Sequence, residues 1–246
     1  MRQRSALPLN TMRKTLIIAD LHLTSIEADK LDLFCRFCQN EAASADQLFI
    51  LGDLFNTWIG DDISIFEYRV VIDCLKSLTK STAVFVMIGN RDFLLSSQFE
   101  QQSGCQLINE PYLLQQSDQD YVLIHGDSLC IDDIGYQKMK KVLRNRLVQL
   151  IFLSLPKKWR LKLSGKIRQK SIKAQSYKSE EIMDVNQDTV DALMENYPNS
   201  NLIHGHTHRL NTHVSTNFTR YVLGDWSNTQ GNAIAVGESL ERLEIH

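Results

Sequence analysis

The sequence predicts an α/β protein in which two packed β-sheets lie between layers of helices. Its first half holds short, continuous apolar runs separated by segments of helical spacing, a pattern typical of buried strands. After residue 200 the pattern changes to short strands joined by turns. The predicted strands are 15–19, 47–51, 83–88, 121–124, 201–204, 211–215, 219–223, 232–236 and 241–245.

Helical spacing predicts helices over 27–43 and 66–80. Residues 135–178 interrupt the alternation of strands and helices, and we interpret them as a helical cap inserted into a domain of residues 14–246. Residues 1–13 have no periodicity, and we expect them to form a disordered extension.

The cap segment begins with an apolar stripe at helical spacing, formed by Met139, Leu143, Leu147, Leu150 and Ile151. Pro156 then restarts the chain into a short amphipathic piece around Trp159, and a further helix is expected over 164–178. From Ile134 to Ser179 there is no Asp or Glu, but there are fourteen of the chain's 27 Lys and Arg residues. Such a block predicts an anionic partner: phosphate, nucleic acid or an acidic membrane surface.

The composition is that of a globular protein with 43% hydrophobic residues and a net charge of −2. No run of about 20 apolar residues is present, so no membrane-spanning helix is expected. The N-terminus has no apolar signal core, which argues against secretion. Five cysteines without paired spacing indicate reduced thiols in a cytosol, and Cys35 and Cys38 are interpreted as core thiols of a helix.

Five predicted strands end in side chains that can bind metal, and the carboxyl ends of strands are where α/β sheets bind ligands. Imidazole, carboxylate and amide ligands suit Mn²⁺, Fe or Zn²⁺. Seven ligands suffice for two ions if one carboxylate bridges them, and Asp53 is the natural bridge. Two ions about 3.5–4 Å apart activate water for in-line attack at phosphorus. The candidate ligands are Asp20, His22, Asp53, Asn90, His125, His206 and His208.

These motifs resemble the signature of the calcineurin-like metallophosphoesterases, in the same order and across nearly the whole chain. They are Asp20-x-His22, Gly52-Asp53, Gly89-Asn90, His125-Gly126-Asp127 and Gly205-His206-x-His208. Longer segments are similar to one branch, the UDP-2,3-diacylglucosamine pyrophosphohydrolases of lipid A biosynthesis. Those segments read IADLHL, LGDLFNTWIGDD, IGNRDFLL, HGDSLCIDD, IMDVNQ and LIHGHTHR.

The resemblance implies an αββα sandwich with a membrane-associated cap and two Mn²⁺ ions. One ion would be bound by Asp20, His22, Asp53 and His208, and the other by Asp53, Asn90, His125 and His206. The implied reaction is hydrolysis of the pyrophosphate of UDP-2,3-diacylglucosamine to UMP and 2,3-diacylglucosamine 1-phosphate. The implied location is cytoplasmic, peripheral on the anionic cytoplasmic face of the inner membrane, and no nucleic-acid partner is expected.

Arg91 occupies a position where most metallophosphoesterases have a histidine that can protonate the leaving oxygen. Arginine cannot act as a general acid because its pKa exceeds about 12, but it can neutralise charge on a phosphoryl oxygen. Such a site suits a good leaving group, as in a pyrophosphate. Asp53 and Arg91 are therefore the candidate catalytic residues, unless Arg91 is only a structural partner of Asp92.

The resemblance also implies substrate contacts at Asn90, Arg91, Asp133, Ser171, Gln175, Lys178 and His206. The family often has Asn at the position of Gln175. Asp133 could instead cap the cap helix. Asp127 is expected to orient a histidine ligand, Trp58 and Trp226 are expected in the core, and Asp225 is given no role.

Two other functions remain open. One is a dinuclear-metal phosphodiesterase acting on nucleotides or nucleic acid, whose cap should carry aromatic platforms beside basic residues. The cap has few aromatic side chains and an aliphatic stripe, which favours acyl chains. The other is a scaffold that has lost its metals, which should have lost ligands, whereas all seven ligands are present.

Overall fold

The computed structural model describes the backbone of residues 14–175 and 184–246, and the side chains of residues 14–169 and 184–246. The expected extension, residues 1–13, lies outside this range. The strands are β1 (Thr15–Ile18), β2 (Gln47–Leu51), β3 (Ala83–Met87), β4 (Gln106–Ile108), β5 (Tyr112–Leu114), β6 (Asp120–Ile124), β7 (Ser200–His204), β8 (Asn211–Val214), β9 (Thr219–Val222), β10 (Gly231–Val236) and β11 (Leu240–Ile245). The helices are α1 (Ala28–Gln39), α2 (Asp61–Glu67), α3 (Arg69–Leu78), α4 (Ser97–Ser103), α5 (Ile134–Leu143), α6 (Arg146–Ser154), α7 (Lys157–Gln175) and α8 (Gln187–Met194).

The strands form two sheets. The first has the order β11-β10-β1-β2-β3-β4, in which β1 to β4 are parallel. The second has the order β5-β6-β7-β9-β8, in which β6, β7 and β9 are parallel. Every strand predicted from the apolar runs is present within two residues of its expected bounds. The short strands β4 and β5 were not predicted, because three residues carry too little periodicity.

Alternate side chains of the strands build separate layers, as the two-residue period of a strand requires. Leu16 and Ile18 of β1 pack in a cluster with Leu33, Phe34 and Phe37 of α1. The residues that alternate with them, Ile17 and Ala19, pack instead against side chains of the second sheet, including Leu123 and Ile203. A third cluster joins the outer face of the second sheet to α8. The layers are therefore helix, sheet, sheet and helix, which confirms the predicted αββα class.

The helix predicted over 66–80 is two helices. α2 begins earlier, at Asp61, and a break at Tyr68 separates it from α3. The ring of Tyr68 is buried and its hydroxyl donates to the carbonyl of Thr57 at 3.0 Å. This tertiary contact fixes the break, and the periodicity of the sequence gives no sign of it. Trp58 and Trp226 are 2% and 1% exposed, which confirms that both are core residues.

Helices α5, α6 and α7 occupy the segment predicted as an inserted cap. The side chain of Asp133 accepts from the backbone N–H of Tyr136 at the start of α5, and Asn145 caps α6 in the same way. The expected division of the last part at residue 164 is wrong, since α7 runs unbroken from Lys157 to Gln175. Gly165 costs only about 1 kcal/mol in a helix interior, and contacts on both sides of it hold the helix.

Two arginines of α7 attach the cap to the core. Arg160 is 4% exposed and forms a bidentate ion pair with Asp62, with Nη1 2.8 Å from Oδ1 and Nη2 2.5 Å from Oδ2. It also donates to the carbonyl of Ile59 at 3.0 Å. Arg168, two turns further on, donates to the carbonyl of Asn56 at 3.0 Å. The helix therefore lies across the loop between β2 and α2.

Cysteine pairing differs from the expectation. Cys35 of α1 forms a disulfide with Cys74 of α3, so these two cysteines are not free thiols. The separation of 39 positions in sequence conceals the pairing, which depends on α1 and α3 packing side by side. Cys38, the second cysteine of the C-x-x-C, is a buried free thiol in the core cluster, as expected.

Candidate metal centre

The ends of five parallel strands from both sheets meet at one edge of the sandwich. The backbone there adopts a left-handed conformation that non-glycine residues rarely use. Six described non-glycine residues have positive φ, and five of them are candidate ligands: Asp20, His22, Asp53, His206 and His208. Such strain concentrates at functional sites, where surrounding contacts enforce it. Here it directs several side chains into one small space.

The first group of ligands comprises Asp20, His22 and His208. The Nε2 atoms of the two histidines are 3.1 Å apart, and Nε2 of His208 is 3.6 Å from Oδ1 of Asp20. Atoms that bind a common ion at about 2.0–2.2 Å lie about 3 Å apart. The three side chains are within the spacing that one ion requires.

The second group comprises Asn90, His125 and His206. Oδ1 of Asn90 lies 3.0 Å from Nε2 of His125 and 3.0 Å from Nδ1 of His206. Asn90 follows β3 of the first sheet, whereas the histidines follow β6 and β7 of the second. This group therefore spans the two sheets.

Asp53 lies between the two groups and is almost fully buried. One carboxylate oxygen, Oδ2, is 3.7 Å from Nδ1 of His22. The other, Oδ1, is 3.9 Å from Nε2 of His125 and accepts the backbone N–H of Arg91 at 2.8 Å. This is the position that a bridging carboxylate requires.

Burial and neighbouring charge shift the pKa values of these side chains in opposite directions. Burial raises the pKa of Asp53 to about 7, and the nearby carboxylates of Asp92 and Asp20 add to the effect. Burial lowers the pKa of His22 to about 2 and that of His206 to about 3. For His125 the nearby carboxylates outweigh burial and raise the pKa to about 9. The imidazoles of His22 and His206 are therefore neutral, as metal binding requires, whereas a bound cation would have to displace the second ring proton of His125.

One ligand atom supports a metal directly. Oδ1 of Asp20 is buried and has no hydrogen-bond partner among the described residues. A buried polar atom without a partner costs about 1–3 kcal/mol, and a bound cation would remove that cost. The nitrogen and oxygen ligands fit a divalent transition metal.

A model of the calcineurin-like phosphoesterases matches residues 13–210. The chain is also 41% identical to the UDP-2,3-diacylglucosamine hydrolase of Haemophilus influenzae (strain PittGG), over 94% of this chain and 98% of that protein. The enzyme of the same name from Histophilus somni (strain 2336) is 43% identical, over 89% and 94%. The chain belongs to the calcineurin-like phosphoesterases. Within them it belongs to the family of the UDP-2,3-diacylglucosamine hydrolases, which also includes a Serratia proteamaculans (strain 568) protein that is 40% identical over 94% of this chain and 97% of its own length.

Two histidines of this phosphoesterase are oriented by contacts of their second ring nitrogen. Nδ1 of His125 lies 2.8 Å from the carbonyl of Leu51. Since a carbonyl only accepts, Nδ1 carries the proton and Nε2 is free to bind a metal. Nδ1 of His208 faces Oδ2 of Asp225 at 3.7 Å. Asp225 had been given no role, because in sequence it is a turn residue with no motif around it.

Glycines beside the ligands leave room for them. A Cβ atom on Gly89 would collide with the carboxylate of Asp53, and one on Gly205 would collide with the carboxylate of Asp20. Each ligand loop can therefore pack against the next only because these positions lack a side chain.

Arg91 faces the candidate metal centre. Its Nε is 3.6 Å from Oδ2 of Asp53, and its Nη1 donates to Oδ1 of Asn56 at 3.3 Å. Asp92 does not pair with it, because the Asp92 carboxylate accepts the backbone N–H groups of Gly89, at 2.8 Å, and Phe55, at 3.3 Å. No ion pair joins Arg91 to Asp92 among the described residues, so the catalytic role of Arg91 stays a prediction, and Asp92 shapes the ligand loop.

Asp127 and Asp133 both contact the cap. Asp127 is buried, and its carboxylate is bound by Tyr136 at 2.7 Å, Lys140 at 2.9 Å and Arg144 at 3.2 Å. Among the described residues its hydrogen bonds run to the cap and not to a histidine, which corrects the expected role. Asp133 caps α5 and also lines the cavity described next.

A cavity of about 650 Å³ lies between the metal centre and the cap. Asp53, Asn90, Arg91, Asp133 and His206 line it, so four predicted substrate contacts and the bridging carboxylate share one space. The opposite wall is mostly aliphatic and includes Met139, Leu143, Val148, Ile151, Leu155, Leu163 and Ile167. The side chains of Ser171 and Gln175, and the whole of Lys178, lie outside the described residues. Ser164 and Arg168, which extend their predicted stripe, do line the cavity.

We predict that Asp53→Ala abolishes hydrolysis and removes more than one equivalent of bound metal, because both ligand groups adjoin this carboxylate. Metal analysis of purified protein measures the result. Asp73→Ala, which removes an exposed carboxylate paired with Arg69, is the matched control and should retain the wild-type metal content. Two retained ions in Asp53→Ala would contradict a bridging role.

We predict that Arg91→Lys binds metal normally but turns over about 10²- to 10³-fold more slowly. A lysine keeps the charge but loses the planar fork, and losing one preorganised donor has an effect of this size. Arg36→Lys, at an exposed ion pair, is the control. The comparison of kcat at saturating substrate decides the matter, and wild-type turnover in Arg91→Lys would remove the side chain from the chemistry.

Proposed function

We propose that this protein hydrolyses the pyrophosphate bond of UDP-2,3-diacylglucosamine, releasing UMP and 2,3-diacylglucosamine 1-phosphate for lipid A biosynthesis. The observation that carries the proposal is one cavity with two chemically different ends. Carboxylate and imidazole ligands lie at one end, and aliphatic side chains of the cap line the other. A substrate with a pyrophosphate and acyl chains matches both ends, and the relatives' names describe hydrolysis of that substrate.

The candidate ligands would hold two Mn²⁺ ions. Asp20, His22, Asp53 and His208 would bind one, and Asp53, Asn90, His125 and His206 would bind the other. Bound ions would supply an activated water and neutralise phosphate charge. Nitrogen and oxygen ligands without thiolates support Mn²⁺ over metals that prefer sulfur.

The chain's own residues bind and orient the substrate in this proposal. The guanidinium of Arg91 faces the cavity and neutralises charge on a phosphoryl oxygen, with Asn90 and His206 beside it. Asp133 lines the same cavity near the start of α5. Ser171, Gln175 and Lys178, whose side chains lie outside the described residues, complete the proposed substrate contacts.

Arg91 also explains why the bond cleaved is an anhydride. Arginine donates no proton to a leaving oxygen at neutral pH. In a pyrophosphate the oxygen that leaves belongs to a phosphate monoester, which is stable as an anion and needs no proton. Water supplies the oxygen of the new bond to phosphorus, and the bond to the bridging oxygen breaks.

The outer surface of the cap supports an interfacial location, peripheral on the cytoplasmic face of the inner membrane. Leu147 and Leu150 of α6 are 66% and 65% exposed, and Trp159 of α7 is 66% exposed. Lys158 and Lys162 flank that tryptophan. Apolar side chains among cations, with no acid in the segment, fit an anionic lipid surface. Among the described residues no helix is long and apolar enough to cross a bilayer.

We predict that UDP-diacylglucosamine is hydrolysed with a kcat/KM more than about 100-fold above that of UDP-glucose, since burying only four methylene groups contributes about 3 kcal/mol. Product analysis should find UMP and the lipid monophosphate, with Mn²⁺ but not with chelator. A generic aryl phosphodiester serves as the short reference substrate. Equal efficiency on UDP-glucose would refute the lipid assignment, and full activity with chelator would refute the metal assignment.

We predict reversible binding to vesicles that contain anionic lipid, through electrostatic attraction of about 1 kcal/mol per Lys or Arg at the surface. Flotation should weaken at high salt, because salt screens this attraction. Leu150→Glu should also reduce flotation at low salt, because it replaces an exposed apolar side chain of the cap with a negative charge. The control, Val214→Glu, changes a side chain that is 81% exposed on β8, outside the cap. Equal binding to neutral vesicles, or equal losses in both variants, would contradict docking through a basic cap surface.

A further inference from the structure

Arg144 directly follows α5, the first helix of the cap, and contacts loops that belong to both sheets. Its Nη2 atom lies 3.2 Å from the carbonyl of Gly89 and 3.2 Å from Oδ2 of Asp127. Its Nη1 atom lies 4.0 Å from the carboxylate of Glu110. One guanidinium thus contacts three separate segments of the core.

Each of these segments adjoins a candidate ligand of the same ion. Gly89 directly precedes Asn90, and Asp127 lies two residues after His125. The carboxylate of Glu110 accepts the backbone N–H of His125 at 2.9 Å. Arg144 therefore contacts the surroundings of Asn90 on the first sheet and of His125 on the second.

The distance between the two sheets decides whether Asn90 and His125 can share an ion. Their ligand atoms are 3.0 Å apart, which suits a common ion, and a displacement of one loop by a few tenths of an ångström would spoil the geometry. Both acceptors are bound by one nitrogen, Nη2, whose two N–H bonds have fixed directions in the guanidinium plane, whereas the ammonium of a lysine rotates freely.

We propose that Arg144 is a positioning residue that holds Asn90 in register with His125, and so links the cap to the metal centre. Arg144 also lines the cavity, but its Nη2 atom is directed to the Gly89 carbonyl and the Asp127 carboxylate, and the role proposed here is exerted through these two contacts. Removing it leaves Asp127 bound by Tyr136 and Lys140, so α5 stays attached and the variant folds.

The test is titration of metal-free protein with Mn²⁺ by calorimetry. Wild-type protein should take up two ions. Arg144→Ala should bind one of them about 10- to 100-fold more weakly, the usual effect of removing a residue that orients a ligand. Arg144→Lys should be intermediate, since lysine keeps the positive charge but lacks the fixed donor directions of the guanidinium. Arg146→Ala, two residues away at an exposed position, is the control and should behave as wild type.

Kinetics separate this role from a substrate contact. With Arg144→Ala, kcat should fall at limiting Mn²⁺ and recover as Mn²⁺ is raised, while KM for the lipid substrate stays the same. Unchanged affinity for both ions in Arg144→Ala would overturn the inference, as would a raised KM that excess Mn²⁺ does not correct. The inference rests on the dinuclear assignment proposed above. A wild-type protein that binds fewer than two ions would overturn that assignment and this inference together, whereas two ions bound with wild-type affinity in every variant would overturn the inference alone.

Discussion

The rest of the structure depends on two carboxylates, Asp20 and Asp53, buried side by side where the sheets meet. Negative charge in a poorly polarisable interior is unfavourable unless cations or hydrogen-bond donors surround it. Among the described residues, the groups that face these carboxylates include the backbone N–H groups of Arg91 and His206, Nε2 of His125 and the guanidinium of Arg91. The remaining charge is what allows the site to hold metal.

The strand ends have the backbone that this charge requires. Parallel strands arrive at one edge from both sheets, and a left-handed residue after a strand turns each ligand inward. Each such residue costs about 1 kcal/mol or more, which the apolar layers on both faces of the sheets can offset. The core behind the metal centre thus fixes the ligand loops, and the cap adds the contacts of Arg144 beside Asn90 and His125.

The sequence predicted the parts of this structure that repeat a simple rule. Apolar runs that end in Asp, Asn or His identified the strands, their common edge and the seven side chains that the structure brings together. It did not predict parts that depend on packing between distant segments. Asp225, Glu110 and Cys74 have no local pattern, because their partners are set by which strand or helix lies alongside. The sequence did not predict that α7 is unbroken, because the contacts of Arg160 and Arg168 with the core outweigh the low helix propensity of Gly165.

The cap occupies the connection between β6 and β7, which are adjacent parallel strands. A parallel pair always needs a long crossover, so the chain must leave and re-enter the sheet here whatever the connection contains. The segment that lines the aliphatic end of the cavity is therefore part of a connection that the fold requires in any case. Exchange of this crossover for another would change what the enzyme recognises, but the new segment would also have to replace the contacts that Arg144 makes beside the ligands.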